Sequence, residues 1–389
     1  MSKAINQRNR MNVIVDASPL SQKSPTGISN FTYLALKSWA TSTKHVKFFL
    51  AAPAPLNNNF YRGLSELENI DLTTYVGTGN KSPRLGRGIF WFLTKLPIDI
   101  YRSKADLFWS PAVIFPPLIR RPSKILLTIY DLVPLKFYET MKPGSRILYR
   151  FLFRRSIKNA DFFWAISEYA IKELNSALPE TAAKPAYVGC AADHYNFRHT
   201  EGFKAEGLSY LRTQFNFNDT DKLLLFVGSL EPRKNLRHLI RLLPEFDNRN
   251  WKLVVVGGSS WGDVFSITDK ELIERYSKTV VFLKRIDNDL LCKIYHAVDL
   301  FVSPSVNEGF CLPAIEAMLC GTPVALANNS AMSEIVGVGG VLIDGYENDA
   351  WIRAIEFALT NSFNPREQAK KFDWAKIGQD ISDRITFTK

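Results

Sequence analysis

Short apolar, β-prone runs alternate with helical patterns along the whole chain, in two successive sets. The first set is Val13–Ala17, Val46–Ala52, Leu72–Val76, Leu107–Ser110, Ile125–Tyr130, Phe162–Ile166 and Ala186–Val188; the second is Leu223–Val227, Leu253–Val256, Val280–Leu283, Leu300–Ser303, Val324–Ala327 and Val341–Ile343. Strands interleaved with helices must be joined by crossovers, so each set reads as an α/β unit on a parallel sheet. At 389 residues the chain is long enough for two domains with separate cores. A polar segment without periodicity, Tyr195–Gly207, separates them, giving domains over 11–200 and 207–370. Residues 1–10 read as a disordered polar tail. Within 371–389, Phe372–Phe387 reads as a final helix.

One strand-to-helix turn carries chemistry. The run Asp299–Ser305 (DLFVSPS) is followed by Glu308–Val324 (EGFCLPAIEAMLCGTPV), in which Glu308 and Glu316 bracket seven residues. Pro313 suits the first helical position, Gly321 can end the helix in the left-handed region, and Pro323 blocks its continuation. The free N–H groups of such a helix, at the carboxyl edge of a parallel sheet, make a phosphate site. A second turn, Gly228–Leu236 (GSLEPRKNL), follows the strand Leu223–Val227 and leads into a helix with Leu236, Leu239, Ile240 and Leu243 on one face.

The first turn resembles the Glu-x7-Glu signature of the retaining GT-B glycosyltransferases of family four, and the second resembles that family's donor-diphosphate turn. Weaker similarities are PTGISNF (25–31), YDLVPL (130–135) and AISEYA (165–170), in the family's order along nearly the whole chain. The resemblance implies the GT-B fold: two Rossmann-like domains facing each other across a cleft that holds the site, with the last helix crossing back to the N-terminal domain. It gives Arg233 and Lys234 to the donor diphosphate, Glu316 to the ribose hydroxyls and Glu308 to the transferred sugar, beside Gly309, Phe310, Cys311 and Leu312. Gly27 would face the diphosphate, and Tyr130 and Asp131 the sugar.

Three positions depart from the family pattern. Ser29 replaces the second glycine of a Gly-Ile-Gly run, leaving Gly27 equally compatible with a plain turn. Tyr130 stands where many relatives have histidine; a phenol can hydrogen-bond but is no near-neutral acid or base, so Asp131 is the firmer assignment. Cys311 stands where glycine is common. A position needing positive φ would strain it, and the reading taken is that a small side chain suffices. Lys284 falls near the expected nucleobase pocket.

Composition narrows the alternatives. No apolar run reaches the roughly 18 residues of a membrane span, and the first ten residues lack a signal-peptide core. Cys190, Cys292, Cys311 and Cys320 show no Cys-x-x-Cys spacing and no nearby histidine partner, which reads as reduced thiols in a cytoplasmic protein. Residues 1–205 hold 28 Lys and Arg against 14 Asp and Glu, whereas the rest holds 21 against 24. The basic half suits an anionic partner (a membrane surface, a lipid diphosphate acceptor or a nucleic acid) or is a solvated face. Two segments could serve the first reading, Arg146–Ala160 (RILYRFLFRRSIKNA) and Phe90–Leu93 (FWFL); both could equally be core. No helix-turn-helix or aromatic-basic module supports a nucleic-acid partner, and no anchored lysine site supports a phosphorylase.

These readings converge on a retaining hexosyltransferase with no cofactor, working at or near the inner face of a membrane. No Asp-x-Asp pair reads as a metal-diphosphate clamp, so no metal is expected. The donor is a nucleotide sugar, with mannose from GDP-mannose the first choice. The acceptor is a saccharide or lipid-linked saccharide of surface polysaccharide such as O-antigen. The rivals are an epimerase or phosphorylase on the same fold, or a nucleic-acid-binding protein.

Overall fold

The computed structural model describes residues 10–77, 85–117, 119, 124–132, 143–258, 264–284 and 286–386, with the backbone alone at 85–87, 143–150 and 386. Residues 1–9, positions 133–135 of YDLVPL, and the side chains of Arg146 and Arg150 lie outside this description.

Among the described residues, thirteen strands form two parallel sheets. The first joins β1 (Met11–Asp16), β2 (Val46–Ala52), β3 (Ile70–Val76), β4 (Leu107–Ser110), β5 (Lys124–Ile129), β6 (Phe162–Ala165) and β7 (Ala186–Val188) in the order β3-β2-β1-β4-β5-β6-β7. The second joins β8 (Lys222–Val227), β9 (Trp251–Val256), β10 (Val280–Leu283), β11 (Leu300–Ser303), β12 (Val324–Ala327) and β13 (Gly340–Ile343) in the order β10-β9-β8-β11-β12-β13. Both follow the doubly wound Rossmann order, which reverses direction beside the first strand of each set. Central strands such as β1 and β8 are almost wholly buried, as sheets covered by helices on both faces require. That is why they read in the sequence as continuous apolar runs.

The helices used below are α1 (Gly27–Ser42), α2 (Pro143–Asn159), α3 (Phe203–Phe215), α4 (Leu236–Arg241), α5 (Asn288–Ala297), α6 (Leu312–Cys320) and α7 (Trp374–Thr386). The chain divides into one unit of Met1–Cys190 with Asp373–Lys389 and another of Ala191–Phe372. Within the first, Trp39, Trp109 and Trp164 are fully buried, the last two stacked at 5.2 Å. Their indole groups are anchored by polar partners: Trp109 donates to Thr128 and Trp164 to the Gly189 carbonyl. Helix α7 packs on α1, with Trp374 against Phe31 at 5.6 Å. The approach is close enough that a Cβ on Gly378 would sit 2.2 Å from Ser38 Oγ.

The break between units lies at Cys190/Ala191, earlier than the expected Tyr195–Gly207 segment. That segment is held by the second unit: Phe197 packs on Tyr295, and α3 lies against α5. Polarity without periodicity marked a surface stretch, not a joint. Helix α2 contributes Leu152, Phe153 and Ile157 to the first core, while Arg155 donates to the Pro117 carbonyl at 2.5 Å. Its exposed face carries Phe151, Arg154 and Lys158. In the apolar segment Phe90–Leu93, Trp91 is buried and Phe90 is 69% exposed.

Candidate functional site

In the second sheet the order reverses between β8 and β11, and both candidate turns leave the carboxyl ends of those two strands. After β8 the chain makes a tight turn over Pro232–Lys234, and Asn235 takes a left-handed φ of 51° before α4 begins. After β11 it runs through Ser305 and Glu308 into α6. The fold thus brings together side chains more than seventy residues apart in sequence.

They meet at Glu308. Its carboxylate is buried and both oxygens are occupied. Lys234 Nζ lies 2.5 Å from Oε1, Arg233 Nη1 donates to Oε2 at 3.0 Å, and Ser305 Oγ donates to Oε1 at 2.8 Å. Arg233 is fixed further by the Asn307 carbonyl at 2.6 Å and by Glu231 at 3.4 Å. The Glu308 backbone N–H donates to Ser330 Oγ. Burial alone would raise the Glu308 pKa, but the charges of Lys234 and Arg233 and the hydrogen bonds of Lys234 and Ser305 outweigh it and hold it below the usual range. With Glu231 also on Arg233, two cations face two carboxylates, and Glu308 is the one that both cations share.

Glu316 lies one turn into α6 and is held separately. Tyr295 Oη on α5 donates to its Oε2 at 2.9 Å. Burial pushes its pKa up to about 7 against that hydrogen bond, with Asp193 and Cys292 adding to the rise. The carboxyl therefore titrates near neutral pH.

Cys311, the residue before α6, has φ 68° and ψ 59°. The position does demand the left-handed conformation, so the expectation that smallness alone suffices is corrected. A residue with a Cβ costs on the order of 1–2 kcal/mol there. Burial and the nearby Glu308 charge push its thiol up to about 12, which disqualifies it as a nucleophile. Pro313 occupies the second helical position, not the first; its missing N–H still falls among those the helix leaves unpaired. Gly321 ends the helix at φ 95°. Gly309 is buried, Phe310 packs edge-on against Phe372, and Leu312 opens the helix.

In the first unit, Gly27 is the first residue of α1, with open space where a side chain would be and no positive φ. Plain turn geometry therefore does not require it. Ser29 has a local reason: with Thr26 it forms a reciprocal capping box. Tyr130 and Asp131 follow β5, with Tyr130 edge-on to Phe31. Lys284 is exposed just beyond β10. The two Asp-x-Asp runs are occupied elsewhere: Asp219 and Asp221 precede β8, and Asp287 caps α5 while Asp289 pairs with Lys293. The described cysteines are free thiols, but the reading that none has a histidine nearby is corrected. His296 lies one helical turn beyond Cys292, with Nδ1 3.9 Å from its sulfur.

Sequence reasoning missed Ser305, Ser330, Tyr295 and Glu231. Ser305-x-x-Glu308 is a spacing that could have been read as a side-chain bond. Tyr295 and Ser330 carry no such signal, because only the packing of α5 and the loop after β12 brings them in.

Removing the Glu308 charge takes away the carboxylate that Lys234 and Arg233 share and leaves Glu231, 3.4 Å from Arg233, as the remaining carboxylate of the cluster. Glu308→Ala should destabilise the second unit by about 3–5 kcal/mol, as loss of one partner from a buried ion cluster does. Urea unfolding followed by the tryptophans of that unit measures it; a loss below about 1 kcal/mol would show the cluster to be water-screened.

Residues 210–373 match the family described as glycosyl transferases group 1. The O-antigen chain mannosyltransferase B of Escherichia coli is 34% identical over 163 residues, 39% of this chain and 42% of that protein. A serotype-specific mannosyltransferase of Escherichia coli is 27% identical over 269 residues, 65% of this chain and 32% of that protein. The chain thus spans less than half the length of these relatives. Among solved structures, sucrose-phosphate synthase from Thermosynechococcus elongatus matches over 97% of this chain and 98% of its own, with 19% identity and a TM-score of 0.68. The two Rossmann-type sheets are those of the GT-B fold, and the second unit matches the group 1 glycosyltransferases over residues 210–373.

Proposed function

We propose that the chain transfers a hexosyl group, with retention of anomeric configuration and without a metal ion, from a nucleotide-diphosphate sugar to a saccharide or lipid-linked acceptor. One observation carries this reading: Arg233 and Lys234 converge at the switch point of the second sheet, where open α/β sheets bind their ligands. Departure of the sugar puts negative charge on the diphosphate. Preorganised cations and the N-terminal N–H groups of α6 stabilise that charge, each well-placed donor contributing roughly 3–4 kcal/mol. Mannose is the first choice of sugar, supported by the mannosyltransferase names of two relatives. GDP is the first choice of nucleotide, and surface polysaccharide the setting.

Glu308 keeps its assignment beside the transferred sugar, with a second duty as the counter-ion that aims both cations. A carboxylate held ionised by two cations, with both oxygens engaged, is a weak nucleophile. This favours a front-face reaction. The bond from the anomeric carbon to the diphosphate oxygen breaks, the acceptor oxygen bonds on the same face, and the leaving phosphate oxygen takes the acceptor proton. Asp131 is assigned to the sugar. Gly27, which no local geometry requires, is assigned to close approach by the donor.

Arg233→Ala and Lys234→Ala should each weaken nucleotide-diphosphate binding by about 1.5–3 kcal/mol, the scale of a charged hydrogen bond. Calorimetry on the folded variants, after a thermal-shift comparison of UDP, GDP, dTDP and ADP, reads this directly. Unchanged affinity in both removes the pair from the site.

Glu316, assigned to the ribose hydroxyls, must be ionised to accept two hydrogen bonds. Its pKa of about 7 gives the sign: affinity falls as pH drops through 7 and levels above it. Glu316→Gln should bind more weakly and lose that pH dependence, and a profile identical to wild type would take Glu316 out of contact with the nucleotide.

The membrane partner is assigned to the first unit, where exposed Phe90 and the Phe151, Arg154 and Lys158 face of α2 combine apolar and basic groups. Each basic residue near an anionic surface contributes about 1 kcal/mol. Arg154→Glu with Lys158→Glu should sharply reduce co-sedimentation with phosphatidylglycerol vesicles at low salt. Wild-type protein that ignores those vesicles ends this assignment.

A further inference from the structure

Two contacts join α5 to α6 like successive rungs. One is the Tyr295–Glu316 hydrogen bond. The other lies one turn away on each helix, three residues before Tyr295 and four after Glu316, where Cys292 Sγ and Cys320 Sγ are 3.6 Å apart. Both sulfurs are buried, with residue exposures of 1% and 3%.

His296 completes the cluster. Its Nε2 faces the Thr200 backbone N–H at 3.1 Å, and its Nδ1 faces the Cys292 carbonyl at 2.8 Å. A backbone N–H can only donate, so Nε2 accepts and Nδ1 carries the proton, directed toward both the Cys292 carbonyl and its sulfur 3.9 Å away. The Cys320 S–H and the imidazole together favour the thiolate of Cys292, whose pKa is lowered, while that of Cys320 is raised by donating to it and by burial. A cavity of about 930 Å³ reaches Cys320 and His296 from solvent. One thiol is thus poised to react, a second lies in contact with it, and the cavity reaches that second sulfur and the imidazole beside the first.

The same three side chains lie within 4.8 Å of one another, close enough to hold a soft metal ion. Ligation through Nδ1, however, would move the ring proton to Nε2 and set it against the Thr200 N–H. The dithiol needs no such conflict.

We propose that Cys292 and Cys320 form a thiol-oxidation site that a small hydroperoxide, entering through this cavity, closes to a reversible disulfide. The Cys292 thiolate attacks the peroxide; an S–O bond forms, the O–O bond breaks, and the departing oxygen takes from solvent the proton that Cys292 lost on ionising and leaves as water or an alcohol. The Cys320 sulfur then attacks the sulfenic sulfur. An S–S bond forms, the S–O bond breaks, and hydroxide leaves with the Cys320 proton as water. The two sulfurs have together given two electrons to the peroxide. Closing from 3.6 Å to a bond of about 2.0 Å moves each sulfur by under about 1 Å. The bridge would lock α5 to α6 beside the Tyr295–Glu316 rung, whatever substrate the site takes.

The full-length reduced protein, treated with a few equivalents of hydrogen peroxide and then alkylated in denaturant, tests this by mass spectrometry. Trypsin followed by cleavage after Glu316 separates Cys311 from Cys320. The expected product links Cys292 to Cys320, reverses with dithiothreitol, and leaves Cys190 and Cys311 alkylated. Cys292 should react at least about tenfold faster than the equally buried Cys190. Cys320→Ser should leave Cys292 as a sulfenic acid trapped by dimedone, and the wild-type linkage map stands even if that variant does not fold. Cysteines 292 and 320 that remain alkylatable while methionines oxidise would overturn the proposal. So would purified protein carrying one tightly held zinc ion that shields both thiols.

Discussion

The arrangement of the second unit depends on one buried carboxylate meeting two cations. Glu308 is surrounded by Lys234, Arg233 and Ser305, and its carboxylate could not be buried here as an ion without the two half-buried cations. Removing a carboxylate from water costs several kcal/mol, and only paired charges with hydrogen bonds to the remaining lone pairs recover it. The cluster therefore fixes the geometry of two loops at once. The turn after β8 is held to the loop after β11 by side chains, and also by the Val306 N–H donating to the Arg233 carbonyl.

Within the cluster both cations are aimed by Glu308, while Glu231, the second and more exposed carboxylate, lies 3.4 Å from Arg233. An anion arriving at the carboxyl edge of the sheet finds side chains already aimed and meets little reorganisation, the condition under which electrostatic stabilisation is most effective. Strain lies close by: Cys311 holds a left-handed backbone at the entrance to α6, directly after Phe310 is anchored on Phe372. A strained residue persists only where its neighbours over-determine it, and such places cluster at functional sites. Behind the loop, α5 and α6 are joined by Tyr295 to Glu316 and by Cys292 to Cys320. The helix that presents Glu316 is thus gripped by α5 through both contacts.

Much of this was legible in the chain before folding. Every strand candidate is a strand within two residues, because strands buried on both faces must be continuously apolar and the turns between them must be polar. Gly321 and Pro323 marked the end of α6, since few other residues suit a left-handed terminus followed by a stop. Arg233, Lys234 and Glu308 were identifiable as a group through their positions after strands and their resemblance to a known pattern. Their mutual contact was not: a sequence gives order along the chain, and the pairing of β8 with β11 is a matter of sheet order.

What only the tertiary structure decided has a common cause. The domain break, the left-handed Cys311, the Tyr295 partner of Glu316 and the Cys292–His296–Cys320 cluster all depend on which surfaces pack together. Local periodicity carries no information about the partner across a helix pair, so residues 21 and 28 positions apart could be matched only once α5 lay against α6. Likewise, the φ of Cys311 is imposed by the loop's need to bring Glu308 to its cations and still enter α6. The sequence by itself determined two parallel α/β units and the chemical types at their turns, because those follow from burial and backbone preferences read locally. The site's electrostatics belong to the fold, because charge interactions depend on distance in space.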